Sequence, residues 1–458
     1  GETSEGFGGN YSLPNNSYCE SCSSCGYMFF NYSQHRHNKE SKYADIMELT
    51  LYNGVLGTVD LNANNFGYTN PLDQDWSRYS WTGCPCCVGN IPRTLLSLPT
   101  WMYTRANDAI FVNLFIGSTV TVNSVSGTSV ELVQTTDYPW DGDVAITVNP
   151  AATAAFSIYI RQPDRSVSTI YSDTPSANGI TSIKVNGSPI SPPSSNGYSV
   201  INRTWNAGDT IEIVLPMPII RTRAIPQVTA DANKVALQYG PLVYNIESAD
   251  LGTTNLEQFI LSDDAPLATT WRGSLLGGVL TIDGTFENDA TMNAIPNYAR
   301  NNRGGRSMVW IREEAVTVIS PIAYAATPSA SYTSSWEDVN GINDQLVPAD
   351  SRDRAGPIWG CWPEEGQQWI QYDFDGYYTI DHTDMYWFTD GGGLMPPSSW
   401  YLTYKSGSNW VTVSGASGYG TALDRWNSVD FNAVYTNGVR AYINSGSASP
   451  AVVEWKIE

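Results

Sequence analysis

Cysteines are the residues of this chain that could do chemistry, and six of the seven lie between residues 19 and 87. They form two short runs, Cys19-Glu20-Ser21-Cys22-Ser23-Ser24-Cys25 and Cys84-Pro85-Cys86-Cys87. A thiolate is both a soft ligand that suits zinc and a strong nucleophile, and a nearby carboxylate can complete a mixed metal site. The two runs can therefore supply four ligands to one metal ion: Glu20, Cys22, Cys86 and Cys87.

The spacing of these cysteines leaves two interpretations open. A disulfide between the adjacent Cys86 and Cys87 would be strained, whereas two neighbouring thiolates can reach one metal ion from a turn. The chain lacks the paired CxxC motifs of a zinc ribbon, so a cluster of disulfides in a secreted protein is the alternative. The residues alone favour the metal. Four cysteines are then left over and either pair or stay free: Cys19, Cys25, Cys84 and Cys361.

Short motifs follow one another around and after the cysteines. They are Glu5-Gly6-Phe7, Tyr11-Ser12-Leu13-Pro14-Asn15, Tyr18-Cys19-Glu20-Ser21-Cys22, Tyr43-Ala44-Asp45, Leu51-Tyr52-Asn53-Gly54-Val55-Leu56, Tyr68-Thr69-Asn70-Pro71-Leu72, Tyr138-Pro139-Trp140-Asp141-Gly142 and Gln238-Tyr239-Gly240-Pro241-Leu242-Val243-Tyr244. In kind and in order they resemble glycoside hydrolase family 127, the β-L-arabinofuranosidases, over about residues 1–315.

This resemblance implies a retaining hydrolase that releases terminal β-linked L-arabinofuranose. Such an enzyme needs one group to protonate the leaving oxygen and another to attack the anomeric carbon. The resemblance places the acid/base at Glu5, the nucleophile at Cys86, and Zn²⁺ on Glu20, Cys22, Cys86 and Cys87. The alternative for Glu5 is a solvated carboxylate near the start of the chain.

Other polar residues carry weaker predictions. Glu48 and Tyr68 align with positions that would line the sugar pocket in the family, and the alternative is that each belongs to a buried structural network. His35 and His37 form an HxH pair beside charged residues at the polar end of a helix, so we expect both on the surface.

The elements that must position these side chains are helical up to about residue 105. Tyr43, Ile46, Met47 and Leu51 recur at the spacing of one helix face. Asn90 is expected to cap a further helix, with Pro92 in its first turn and a kink at Pro99. Four apolar side chains of this second helix are predicted to be buried: Leu95, Leu96, Leu98 and Met102.

The resemblance implies that residues 1–105 are the C-terminal part of an (α/α)6 barrel whose preceding helical part is absent here. Two or three helices cannot enclose a barrel of six hairpins. We therefore expect an N-terminal helical chain or segment of the same precursor as a partner. It would cover an apolar face that includes Tyr43, Ile46, Met47 and Leu51.

From about residue 106 the apolar period changes to two, which predicts a multidomain, mainly β chain. We expect one β-sandwich at 106–222 and a second at 223–316, divided near Pro216-Met217-Pro218. Residues 317–458 begin with a segment from Pro321 to Ser331 that is rich in Ala, Ser and Pro, a composition typical of a linker. The aromatic strands after it resemble a discoidin-like, galactose-binding-like jelly roll.

Such a module implies sugar binding through exposed aromatic rings, and Ca²⁺ in a loop. The alternative is that its tryptophans form a core, because most of them alternate with polar residues inside strands.

Composition limits the partners and the location. A net charge of −21 argues against binding to nucleic acid or to anionic membranes, and no stretch of 18 apolar residues predicts a membrane span. Five Asn-x-Ser/Thr sequons predict a secreted, extracellular glycoprotein: Asn10, Asn15, Asn31, Asn186 and Asn202.

Three functions are compatible with this sequence. The first is a secreted β-L-arabinofuranosidase acting on glycans, of which this chain is a fragment or nicked part that needs its helical half. The second keeps the chemistry and changes the sugar. The third is a non-catalytic, carbohydrate-binding or structural β-protein in which zinc only stabilises the N-terminal segment.

Overall fold

The computed structural model describes residues 5–6, 8–75, 77–80, 83–166, 168–313, 320–354 and 356–458. This part of the chain is mainly β, as predicted, with its longer helices confined to residues 21–97 and several sheets after them. No helix in these ranges is long and apolar enough to cross a membrane. Phe7 of the first motif and the predicted boundary between residues 316 and 317 lie outside the described residues.

The N-terminal region contains helices α1 (Ser21–Asn38), α2 (Ser41–Leu49) and α3 (Cys86–Ser97), and the short strand β1 (Asp73–Asp75). Helix α2 continues into a π-helical turn at Thr50–Val55 and a 3-10 turn at Leu56–Thr58. Side chains four residues apart share one helix face. Met47, Leu51 and Val55 accordingly enter a core that also holds Cys25, Met28, Ile91 and Trp101.

The apolar face that we expected to need a partner is different in the structure. Met47 and Leu51 are buried within this chain, and Tyr43 and Ile46 are half-buried. The exposed apolar side chains of the helices are Tyr27 and Phe30 on α1 and Leu96 on α3. The predicted location of the open face was therefore wrong. The (α/α)6 barrel itself stays a prediction.

Helix α3 begins five residues earlier than predicted. Cys86 and Cys87 are its first two residues, so Asn90 lies inside the helix and does not cap it, and Pro92 is also inside. Leu96 is 80% exposed, which makes its predicted burial wrong, whereas Met102 is buried. Pro99 lies in a 3-10 turn at Leu98–Thr100 that follows the helix, so it marks an end and not a kink.

Residues 103–214 form two facing sheets. The strands are β2 (Tyr103–Arg105), β3 (Ala109–Val112), β4 (Ser118–Val125), β5 (Thr128–Thr136), β6 (Asp143–Pro150), β7 (Ala154–Arg161), β8 (Tyr171–Thr174), β9 (Ser182–Val185), β10 (Ser188–Pro189), β11 (Ser194–Ser195), β12 (Tyr198–Trp205) and β13 (Asp209–Val214). One sheet has the order β10-β9-β13-β6-β5-β4 and the other β11-β12-β7-β3-β2, whereas β8 belongs to neither of them. Alternate residues such as Val144, Ile146 and Val148 fill one core between them, as the period of two predicted.

The strands of residues 219–312 are joined by hydrogen bonds into one sheet of ten. They are β14 (Ile219–Ala224), β15 (Lys234–Tyr239), β16 (Leu242–Glu247), β17 (Ala268–Arg272), β18 (Val279–Thr285), β19 (Thr291–Pro296), β20 (Arg306–Met308) and β21 (Ile311–Arg312). Helix α4 (Ser248–Leu251) and 3-10 turns at Thr229–Asp231, Leu256–Gln258 and Asn297–Ala299 connect them. The sheet also takes β1 and β8, which lie before the predicted boundary.

Residues 320–458 form a further eight-stranded sheet around a separate core. The elements are helix α5 (Pro321–Ala325), β22 (Thr327–Ala330), a 3-10 turn (Val339–Asn343), β23 (Trp359–Gly360), β24 (Gln367–Trp387), β25 (Leu394–Met395), β26 (Ser399–Ser406), β27 (Asn409–Thr412), β28 (Trp426–Asn444) and β29 (Ser449–Ile457). The segment predicted as a linker is α5 and β22, and β22 pairs with β24. The discoidin-like assignment stays a prediction.

Buried polar contacts join the regions. Arg306 donates to both oxygens of Asp73 at 2.8 Å, next to the pairing of β1 with β20. The side chain of Asn53 donates to the Pro241 carbonyl at 2.8 Å and accepts from the Val243 amide at 2.9 Å. Two of the motifs that carried the resemblance therefore contact each other.

His35 also lies at a junction, so the expected surface position was wrong for this residue. It is 1% exposed, between α1 and the sheet that contains Phe111 and Tyr198. Its Nδ1 lies 3.3 Å from the Glu40 carbonyl and its Nε2 lies 3.2 Å from Thr104 Oγ1. His37 is exposed, as expected.

Candidate active site

The four predicted metal ligands come together. Cys22 Sγ lies 3.1 Å from Cys87 Sγ, and Cys86 Sγ lies 3.8 Å from Cys87 Sγ. Glu20 Oε1 is 3.8 Å from Cys86 Sγ and 3.6 Å from Cys87 Sγ. The ligand atoms of all four residues lie within 4.8 Å of one another, and the described residues contain no other such group of three or more His, Cys, Asp or Glu side chains.

A short loop fixes the Glu20 side of this cluster. Glu20 forms an isolated antiparallel bridge with Thr69, and the Ser21 amide donates to the Tyr68 carbonyl at 2.9 Å. The Ser21 hydroxyl donates to the Gly67 carbonyl at 2.9 Å. Cys22 then follows as the second residue of α1. These backbone contacts hold Glu20, Cys22 and Tyr68 as one unit against the start of α3.

The cluster fits a tetrahedral zinc site. With Zn–S bonds of about 2.3 Å, the sulfurs of a regular tetrahedron are about 3.8 Å apart, and a carboxylate oxygen lies slightly closer to them. The Cys86–Cys87 S–S distance of 3.8 Å and the S–O distances of 3.6 and 3.8 Å are close to these values, whereas the Cys22–Cys87 S–S distance of 3.1 Å is shorter. Three sulfurs and one carboxylate also form the soft ligand set that suits zinc.

The electrostatics of the three thiols differ. Burial raises the pKa of Cys22 and of Cys87, so each favours the protonated form in the absence of a cation. Burial also opposes ionisation of Cys86, but hydrogen bonds with Tyr68, Cys22, Cys84 and Cys87 outweigh it and lower the pKa of this thiol. Cys86 is partly accessible and Cys87 is buried. Cys86 is therefore the thiol of the cluster best suited to react with a ligand.

Asn90 is a member of the site that the sequence analysis missed. Its Nδ2 donates to Cys22 Sγ at 3.1 Å from the second turn of α3. A hydrogen bond of this kind orients a ligand and favours the thiolate. The spacing contains the signal, because Asn90 follows Cys86 by one helical turn and must share its face once α3 begins at Cys86.

Tyr68 lies at the accessible side of the cluster. Its Oη is 3.7 Å from Cys86 Sγ, and its ring packs edge-on against Tyr18 with 6.1 Å between centroids. Glu5 is exposed and stands outside the four-residue cluster. Burial and the charges of Glu20 and Glu5 raise the pKa of Tyr18.

Glu48 lies in a buried network. One carboxylate oxygen accepts from the Arg161 guanidinium and the other from Tyr138 Oη at 3.0 Å. Arg161 also donates to Asp45 Oδ1 at 2.6 Å. Both oxygens are thus occupied by partners from the first β region. This arrangement agrees with the alternative to sugar binding, in which Glu48 belongs to a buried structural network.

The remaining cysteines and the sequons occupy varied environments. Among the described residues no cysteine forms a disulfide; Cys25 and Cys361 are buried in cores, whereas Cys19 and Cys84 are exposed. Asn31 is buried and its Nδ2 donates to the Tyr27 carbonyl at 2.8 Å, so it cannot carry a glycan in this structure. Glycosylation stays a prediction for the other four sequons, Asn10, Asn15, Asn186 and Asn202.

Family models match most of the chain before residue 313. They are the β-L-arabinofuranosidase GH127 catalytic domain at residues 1–100, the GH127 middle domain at 109–217 and the glycoside hydrolase family 127 C-terminal domain at 219–312. Together these models cover more than half of the chain.

Individual relatives agree with the family models. The non-reducing end β-L-arabinofuranosidase of Bifidobacterium longum subsp. longum is 32% identical over 303 residues, which cover 61% of this chain and 43% of the relative. A GH127 β-L-arabinofuranosidase structure from Geobacillus stearothermophilus T6 has 35% identity and a TM-score of 0.60, over 66% of this chain and 51% of that one.

A second solved structure, also of a GH127 β-arabinofuranosidase, has 31% identity and a TM-score of 0.63, over 67% of this chain and 51% of that one. The chain thus spans about half the length of these relatives. The matches to the three family models show that this chain belongs to glycoside hydrolase family 127.

Proposed function

We propose that this chain carries the catalytic centre of a secreted glycosidase that releases terminal β-L-arabinofuranose from glycans with retention of configuration. The observation that carries the proposal is the convergence of Glu20, Cys22, Cys86 and Cys87 within 4.8 Å, with Cys86 the partly accessible thiol of lowered pKa. The names of the relatives support the choice of sugar.

Cys86 is the proposed nucleophile. It is the first residue of α3, where the helix dipole favours a thiolate. Its sulfur attacks the anomeric carbon, the bond from that carbon to the leaving oxygen breaks, and Glu5 gives its proton to that oxygen. Glu5 then takes a proton from water, whose oxygen displaces the sulfur and completes hydrolysis with retention.

The other residues of the cluster have supporting roles. Glu20, Cys22, Cys86 and Cys87 would hold Zn²⁺, which when bound stabilises thiolate at Cys86 and so makes this sulfur both a nucleophile and a leaving group. Asn90 orients Cys22 through its hydrogen bond. Tyr68, with its hydroxyl 3.7 Å from Cys86 Sγ, is placed to donate to a sugar hydroxyl or to the sulfur.

Labelling tests the nucleophile. An electrophile with the configuration of β-L-arabinofuranose should modify Cys86, as measured by peptide mass after digestion. Cys86→Ala should abolish the label, whereas Cys361→Ala, which changes a buried cysteine of the C-terminal core, should keep it. Label on Glu20, or inversion of the anomeric centre in the product, would contradict the mechanism.

The proposal includes a helical segment outside this chain that encloses the sugar. The exposed side chains of Tyr27, Phe30 and Leu96 support a contact face on α1 and α3. Secretion rests on the sequons and the composition alone. The Ca²⁺ prediction for the C-terminal region has no residues assigned to it and stays a prediction.

A further inference from the structure

A cleft of about 610 Å³ opens between the N-terminal segment and the C-terminal region. This volume is in the range of sites that bind small ligands. Side chains from both regions line it: Asn16, Tyr18, Trp336, Arg354, Trp362 and Asp390. The cleft lies outside the four-residue metal cluster, and none of these residues had a predicted role.

Two tryptophans form an exposed aromatic wall of the cleft. Trp336 is 51% exposed and Trp362 is 42% exposed, with 5.2 Å between ring centroids and an interplanar angle of 37°. Trp359, Trp387, Trp400 and Trp455 of the same region are buried in its core. Packing within the chain therefore explains those four tryptophans but does not explain the exposed pair.

The aromatic wall is held in place from both sides. The Asn16 side chain donates to the Trp336 carbonyl at 3.2 Å, and the Ser334 hydroxyl donates to the Trp362 carbonyl at 2.6 Å. Gly393 lies so close to Trp362 that a Cβ there would be 2.9 Å from the indole Cδ1. A wall that is already ordered costs little conformational entropy when a ligand binds.

Charged groups stand beside the aromatic wall. Arg354 donates to the two carboxylate oxygens of Glu337 at 3.0 and 3.2 Å, and its guanidinium lies 4.6 Å from the ring centroid of Phe388. The Arg354 side chain is 40% exposed, so the fixed guanidinium still faces solvent. Asp390 is exposed on another loop. Aromatic faces next to such polar groups suit a sugar, which has C–H faces and hydroxyl edges.

One residue of the cleft lies next to the tyrosine that neighbours Cys86. Tyr18 lines the cleft and contacts Tyr68, whose hydroxyl is 3.7 Å from Cys86 Sγ. We propose that the cleft binds the part of the glycan beyond the scissile bond, by stacking on Trp336 and Trp362 while the terminal arabinofuranose is at Cys86. This inference rests on the proposed function for the identity of the sugar.

Binding measurements on the full chain test the inference. The ligands are an oligosaccharide that ends in β-L-arabinofuranose and the methyl glycoside of the same sugar, titrated by calorimetry into protein with Cys86→Ala, so that hydrolysis does not interfere. We expect Trp336→Ala and Trp362→Ala each to weaken oligosaccharide binding by about tenfold or more and to leave the methyl glycoside unchanged. Trp362→Phe, which keeps a ring, should show a smaller loss.

Trp271→Ala is the matched control, because Trp271 is 54% exposed on β17 and lies outside the cleft. Circular dichroism checks that every variant is folded. Oligosaccharide affinity that is unchanged in both cleft variants overturns the inference. So does a wild-type chain that does not bind the oligosaccharide, or cleft variants that change only the association state of the protein.

The two proposals can fail separately. If the β-L-arabinofuranose electrophile does not label Cys86 but oligosaccharide affinity falls in the tryptophan variants, the proposed function fails and the cleft stands as a glycan site. If Cys86 is labelled and arabinofuranose is released while the tryptophan variants bind normally, the function stands and the cleft proposal is overturned.

Discussion

Cys22 and Cys87 are 65 positions apart in sequence, yet their sulfurs lie 3.1 Å apart. Three thiols and a carboxylate at such distances repel one another when ionised. Burial is the largest of the effects that raise the pKa of Cys22 and of Cys87, and the neighbouring Cys86 adds to it. A divalent cation would remove both costs. We therefore propose a metal site here, in which Cys87 is the buried ligand and Cys86 is a more accessible one.

Cys87→Ser is expected to lower the zinc content from about one ion per chain to well below that value. A serine hydroxyl is a much poorer zinc ligand than a thiolate, and the change leaves three ligands. Activity should fall as well, although Cys87 does not attack the sugar. Elemental analysis of purified protein measures the metal.

Cys84→Ser is the control for this experiment, since Cys84 lies on the same segment but outside the four-ligand cluster. It should retain zinc. Full zinc content in Cys87→Ser, or a disulfide between Cys86 and Cys87 in native protein, would contradict the metal site.

At the scale of elements, the contacts of His35 show how α1 packs against the first β region. Its neutral ring matches both neighbours, because Nδ1–H can donate to the Glu40 carbonyl while Nε2 accepts from the Thr104 hydroxyl. That hydroxyl in turn accepts from Asn113 Nδ2 at 2.8 Å. Burial, with a smaller effect of the Lys39 charge, lowers the pKa of His35 to about 4.

Acid is therefore expected to weaken this contact. A histidine whose pKa is lower in the folded state contributes stability above its unfolded pKa of 6.5, and that stability is lost as pH falls toward about 4. The loss is roughly 3 kcal/mol, from 1.36 kcal/mol per pKa unit. His35→Gln should show a smaller loss of unfolding free energy than wild type between about pH 7 and pH 4, measured by urea denaturation.

His37→Gln is the matched control, because His37 is exposed two residues further along α1. It should lose stability between about pH 7 and pH 4 as wild type does. Equal pH dependence of the two variants would show that His35 does not carry the effect.

The elements that the sequence predicted well are those whose pattern depends on one nearby core. Val144, Ile146 and Val148 alternate because one sheet face is buried, and Met47 and Leu51 share a helix face. The predictions that were wrong concern residues whose partners are distant in the sequence. Nothing near His35 in the sequence indicates that Thr104 and Phe111 cover it. The segment rich in Ala, Ser and Pro becomes β22 only because β24 offers an edge.

The site was predictable for a related reason. Ligand type and the family motifs identified Glu20, Cys22, Cys86 and Cys87, and the structure brings these four together. Asn90 was expected only as a helix cap, because the start of α3 was placed five residues too late. The network around Glu48 could not be seen either, because Arg161 and Tyr138 belong to strands and turns about a hundred residues away.

At the scale of the whole molecule, the parts that would bind the metal ion are distinct from the parts that would enclose the sugar. All four ligands of the cluster come from this chain, and the loop at Gly67–Asn70 and helix α3 hold them. The β regions brace α2 through buried partners such as Arg161. On the open side, however, Glu5 and Cys84 are exposed. The chain can hold its metal without fully surrounding a sugar.

The chain alone is therefore expected to bind about one zinc ion and to hydrolyse a β-L-arabinofuranoside only weakly. Adding a helical segment from the same precursor should raise kcat/KM by a large factor, because an enclosed site excludes water and positions the sugar. It should leave the zinc content unchanged.

Phe30→Ser with Leu96→Ser should reduce this gain in kcat/KM, since both exposed side chains belong to the proposed contact face. Val347→Ser, which changes a similarly exposed apolar side chain in the C-terminal region, should not reduce it. Full activity of the isolated, monomeric chain would show that no such segment is needed.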